Sequence, residues 1–94
     1  MELGKARVAE VAAAWGIPPE RLEREAVEVW LERRLALIEA EIAEILARYG
    51  VQSLGELESG IRSGRIPEHP AWEDLIVLER LIEEKKVISE LLGS

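Results

Sequence analysis

Between Pro19 and Gly50 the chain has no glycine and no further proline. Nothing in PERLEREAVEVWLERRLALIEAEIAEILARY interrupts a helix, and its Glu, Leu, Arg and Ala are among the strongest helix formers. Pro18-Pro19 breaks whatever precedes, because proline is tolerated only in a helix's first turn. Tyr49-Gly50 then closes the element. The pattern predicts one helix over 19–49, about 46 Å long at a rise of ~1.5 Å per residue. A compact domain of 94 residues has a radius of gyration of only about 12–13 Å. Something must therefore cover this helix along its length.

Leu31, Leu35, Ile38, Ile42, Ile45 and Tyr49 recur at alternating steps of four and three. Such a seam supercoils against a partner helix. The last helix, the same helix of a second copy, or both can supply that partner. A second row, Ala36, Ala40, Ala43 and Ala47, lies well round the cylinder. It either lets another helix approach closely or reflects alanine's helix propensity alone.

Three shorter helices complete the reading. Val8, Val11, Ala12 and Trp15 keep helical spacing over about 3–15, with Gly16 as the stop. Ser53 and Glu56 form a capping box that opens a helix over 54–63 with Leu54, Leu57 and Ile61 inward. Pro70 starts a last helix over 70–92, on which Trp72, Leu75, Leu78 and Ile82 drift round to Leu81, Ile88, Leu91 and Leu92. The expected fold is all-α, one helical domain over 1–94. It is a long helical hairpin with a short N-terminal helix and a short connecting helix, dimerising into a helical bundle.

Composition removes several functions. No cysteine means no disulfide, thiolate metal site or thiol chemistry, which points to a cytoplasmic protein. MELGKARVAEV carries scattered charge and does not read as a signal peptide, and no apolar run approaches the ~20 residues that span a bilayer. Abundant Glu and Arg, no Asn and a single Gln52 lean towards a thermophilic source. A net charge of −7, acidic in both halves, argues against direct nucleic-acid binding, which works through basic patches. A basic protein partner fits better.

Residues 65–74, RIPEHPAWED, hold the only histidine among carboxylates. Glu68, His69, Glu73 and Asp74 resemble a metal or acid–base site, but one imidazole with nearby acids falls short of a convergent ligand set. The serines, Ser53, Ser59, Ser63 and Ser94 among them, have no orienting partner set. The structural reading explains every residue of the stretch. Pro67 and Pro70 hold the approach extended, Trp72 turns inward as an anchor, and Glu73 and Asp74 complement the positive end of the helix. No catalytic residue, metal or cofactor is expected.

Residues 16–34, GIPPERLEREAVEVWLERR, resemble the second-helix region of ribbon-helix-helix antitoxins. Leu22, Arg24, Glu25, Ala26, Val27, Trp30, Leu31 and Arg34 carry the match. In that family such a helix builds the dimer core, a preceding strand reads DNA, and a C-terminal helical tail wraps a toxin. The stretch EIAEILARYGVQSLGELESGIRSGRIPEHPAWEDLIVLERL is similar to C-terminal regions of short prokaryotic proteins, some described as antitoxin-like. Here only fifteen residues precede Gly16, and VAEVAAAW already reads as helix. The resemblance thus implies the helical dimer core and the partner-binding tail without the DNA-binding ribbon.

The expected function is a non-enzymatic, antitoxin-like regulator. It dimerises through its long helix and inhibits a protein partner, a small RNase or nucleotidyltransferase encoded by an adjacent gene. Glu68, Trp72, Leu75, Ile76, Glu79 and Ile82 are the expected binding element, since an amphipathic helix docks its apolar face in a groove and tryptophan is frequent at interface hot spots. The same residues also serve as a purely intramolecular core. In that case the chain is a self-associating scaffold or complex subunit with no toxin partner.

Overall fold

The computed structural model describes the backbone of residues 2–93 and the side chains of residues 4–93; Met1 and Ser94, one of the five serines, lie outside them. The described chain is all-helical: α1 (Glu2–Trp15), α2 (Pro19–Tyr49), α3 (Leu54–Arg62) and α4 (Glu68–Leu92). The helix ends follow from local chemistry. After α1, Gly16 takes φ +68, so its N–H reaches the Ala13 carbonyl while the Ile17 N–H reaches that of Ala12. After α2, Gly50 repeats the device at φ +64, with N–H groups of Gly50 and Val51 on the carbonyls of Ala47 and Leu46. Both are Schellman closures, which need a left-handed residue at that point.

Ser53 caps α3, its hydroxyl accepting from the Glu56 N–H at 3.1 Å. The returning arm differs from the expected box, because the Glu56 carboxylate accepts from the N–H of Gln52 at 2.7 Å. α4 begins two residues before the expected Pro70, but His69 leaves helical space at φ −110, ψ 128. That is the extended conformation a following proline imposes. The regular helix therefore starts at Pro70, and the His69–Pro70 peptide is cis.

The chain divides into two compact units, Met1–Arg33 and Arg34–Ser94. The first contains α1 and the opening turns of α2, and its one fully buried side chain among the described residues is Ala12. Val8, Ile17, Leu22 and Leu31 are half-buried there.

The second unit has a core of its own. Ile38, Ile45, Leu57, Ile61, Ala71, Leu75, Leu78, Leu81 and Ile88 are buried. Burying each Leu or Ile contributes about 1.5–3 kcal/mol. Ion pairs show the direction of the helices in it. Arg34 meets Glu84 at 3.3 Å, Glu39 meets Lys85 at 3.4 Å, and Arg48 meets Asp74 at 2.9 Å. Advancing along α2 thus means retreating along α4, so the two are antiparallel, and α3 packs against α4.

Candidate protein-binding surface on α4

The seam residues of α2 in this unit lie inward: Ile38 and Ile45 are buried, and Leu35, Ile42 and Tyr49 are half-buried. The chain itself covers that stretch of the seam. Leu31, in the other unit, is half-buried, and the row Ala36, Ala40, Ala43 and Ala47 is exposed.

At its start, α4 is fixed in three ways. Ala71 and Leu75 are buried. The Tyr49 hydroxyl donates to the Asp74 carboxylate, and Arg48 meets the same carboxylate oxygen at 2.9 Å. The Tyr49 hydrogen bond, and after it Arg48, hold the Asp74 carboxyl below the usual aspartate range, with burial opposing them. Burial first, then the bond to Asp74, push the Tyr49 hydroxyl up. The sequence reading missed this lock, placing Tyr49 at the end of a seam and Asp74 beside a helix dipole. The one available signal was rarity, since each is the only residue of its type.

The residues expected to bind a partner separate into two groups. Leu75 is only 3% exposed and belongs to the core. It turns inward with Ala71, four residues before it, and Leu78, three after it, which lie on the same helix face and are also buried. Trp72 does not turn inward as expected, since Ala71 takes the buried position beside it; Trp72 and Ile76, one turn apart, are 51% and 54% exposed on the outer face. Glu79 and Glu83 continue their stripe at helical spacing, both exposed and neither with an ion-pair partner among the described residues. Ile82 lies at the border between the two faces, and Glu68 is exposed ahead of the break at His69. The outcome is a tethered turn that offers indole and sec-butyl surface beside uncompensated carboxylates.

His69 stands away from the core. Its ring nitrogen Nδ1 is 3.3 Å from the Glu73 carboxylate, and both side chains are largely exposed. No three His, Cys, Asp or Glu side chains are grouped as metal ligands among the described residues. A groove of about 200 Å³ runs beside the lock, lined by Glu41, Glu44, Ile45, Arg48, Asp74 and Val77. Its single cation, Arg48, is already held by Asp74 and by Glu44 at 3.7 Å.

A second open surface lies in the first unit. Trp15, Val27, Val29 and Trp30 are each more than half exposed there. Leu22, Glu25, Ala26, Val29, Trp30 and Arg33 line an apolar groove of about 500 Å³ on the face of α2.

The model of a family described as "Uncharacterized protein MJ0235 family" matches residues 1–93, and the chain belongs to that family. No curated protein and no solved structure matches the chain.

Proposed function

We propose that this member of the MJ0235 family is a non-enzymatic regulator that binds and inhibits a protein partner through the outer face of α4, in the manner of the antitoxins its residues 16–34 resemble. The observation that carries this reading is the stripe Trp72, Ile76, Glu79 and Glu83. Two large apolar side chains stand in solvent on a turn that the Tyr49–Asp74 bond and two buried neighbours hold still. A preorganised helix face loses little conformational freedom on docking, so more of its contact energy appears as affinity. The partner should be apolar at the contact and basic around it, because the carboxylates of Glu79 and Glu83 lack a cation of their own. Enzymes that cleave or modify RNA carry such basic surfaces, since they must hold a phosphate backbone. On this reading the chain occludes that surface instead of performing chemistry.

The test is co-expression with the product of the adjacent gene, with complex mass read by light scattering and ribonuclease activity by release of labelled RNA. A fixed-ratio complex that silences the ribonuclease, and that Trp72→Ala together with Ile76→Ser abolishes, is the expected result. A chain indifferent to its neighbour, or a complex insensitive to those two changes, sinks this reading.

A further inference from the structure

The groove on the first unit has a shape and charge pattern that point to its occupant. Its six lining residues are two parallel ridges of one helix, each with a spacing of four. Leu22, Ala26 and Trp30 form one ridge, and Glu25, Val29 and Arg33 form the other. A groove between two such ridges is what the corresponding ridge of another helix fills. Val29 and Trp30 are each 62% exposed, so the apolar floor is open to solvent. The second ridge carries an anion at one end, a cation at the other and valine between them. Reversed end for end, that ridge is its own electrostatic complement. A uniformly basic protein would meet Arg33 unfavourably, and a uniformly acidic one would meet Glu25.

We infer that this groove takes a second copy of the chain, with the two α2 helices crossing antiparallel at Val29 and Glu25 of each copy facing Arg33 of the other. The arrangement is isologous, as a two-fold interface requires, and the charge pair forms twice. Arg33 has no ion-pair partner among the described residues, so it is available for this role. Glu25 already accepts from Arg21 at 2.8 Å, and its carboxylate has lone pairs left for a second cation. The first unit has its own reason to associate: Ala12 is its one fully buried side chain among the described residues, and segments of this size depend on outside contacts for stability. Six residues per copy form a small interface, below the ~1,200 Å² of stable complexes, so the dimer is weak and concentration-dependent. The inference goes beyond the proposed partner binding, which uses a different helix.

Sedimentation velocity over a concentration series tests it, with circular dichroism checking that each variant keeps its helix content. The wild-type chain is expected to shift reversibly from monomer to dimer. Glu25→Arg and Arg33→Glu each set like charges against each other twice, and each should weaken self-association about tenfold or more. The double variant Glu25→Arg/Arg33→Glu should recover it, and an equimolar mixture of the two single variants should form a mixed dimer. Trp72→Ala should leave the dimer unchanged, which separates this result from the fate of the proposed partner binding. A wild-type chain that stays monomeric throughout overturns the inference. So do single variants that dimerise like the wild type, or a double variant that fails to recover.

Discussion

Tyr49 and Asp74, twenty-five positions apart in sequence, share one hydrogen bond: the phenol at the last turn of α2 donates to the carboxylate at the start of α4. Arg48 completes the cluster from the same end of α2. The bond ties two antiparallel helices where the chain leaves one and where it enters the other. Removing the donor in Tyr49→Phe leaves a partly buried carboxylate with Arg48 alone. The variant should lose about 1–2 kcal/mol of unfolding free energy in urea titration. Asp74→Asn, which keeps an acceptor for Tyr49 but discards the charge facing Arg48, should also be less stable than the wild type.

The same cluster gives the stability profile two flanks. Asp74 has a folded-state pKa below its unfolded value, so its contribution is present above the ordinary aspartate value of about 3.9 and is lost as pH falls through the lower folded value. Tyr49 is raised, so its contribution is present below the ordinary tyrosine value of about 10 and is lost as pH rises through the higher folded value. Thermal midpoints across pH should show a plateau between those limits. In Tyr49→Phe the alkaline flank should flatten and the acid flank should become shallower, because the folded-state pKa of Asp74 moves back towards its unfolded value. An unchanged alkaline flank in that variant would mean that the tyrosine is not linked to folding.

Leu75 and Ile76 are adjacent, chemically similar and oppositely placed, at 3% and 54% exposure. Leu75→Ala should cost about 2–5 kcal/mol, as a cavity in a packed core does. Ile76→Ala should stay within about 0.5 kcal/mol, as surface changes do. Equal costs for the two would show that the outer face of α4 is covered in the free chain.

That pair also marks how far the sequence could be read. Pro19, Gly50 and the Ser53 cap announce helix ends through chemistry confined to a few neighbouring residues, so the four helices were legible with their limits. Which stripe of α4 turns inward was not. Apolar residues occupy both its faces, with Trp72, Ile76, Val87 and Leu91 out and Ala71, Leu75, Leu78 and Ile88 in, so periodicity gives no single answer. Only the packing of α3 and of the seam of α2 decides between them. The Tyr49–Asp74 bond was invisible for a related reason, since it joins residues whose proximity depends on how the 50–70 connection returns the chain. The groove on α2 was half-legible: Leu22, Glu25, Ala26 and Trp30 were singled out for a resemblance, but the placement of Glu25 and Arg33 at opposite ends of one ridge needs the helix surface to be seen.

Gly60 sits in α3 where a helix former would ordinarily be an improvement of about 1 kcal/mol. A Cβ built there, however, would meet Ile66 Cδ1 at 2.5 Å and Cγ1 at 2.9 Å, with Arg65 Nη2 at 3.2 Å. The carbonyl of Gly60 also accepts the Ile66 N–H at 2.9 Å, which limits how far Ile66 can retreat. Gly60→Ala should therefore destabilise by about 1–3 kcal/mol, the usual cost of overpacking. Gly55→Ala is the control in the same helix. Its Cβ would meet only the Ser53 hydroxyl oxygen at 3.8 Å, an ordinary contact, and it should be neutral or stabilising. Urea midpoints of opposite sign for the two variants are the expected outcome.

The three tryptophans report on separate surfaces. Trp15 is 77% exposed, Trp30 62% and Trp72 51%, so in the monomer all three indoles are hydrated. Fluorescence of the dilute chain should peak close to that of the urea-unfolded state, and unfolding should barely move it although the helical signal is lost. Keeping Trp30 alone, in Trp15→Phe/Trp72→Phe, makes the emission a probe of the groove on α2. Its maximum should move to shorter wavelength as concentration rises, and Arg33→Glu in that background should remove the shift. Keeping Trp72 alone should give no concentration dependence, because that indole waits on the face of α4 for a different protein. A blue-shifted emission from dilute chain in either background would place that indole in a covered site and contradict the exposure on which both surfaces are argued.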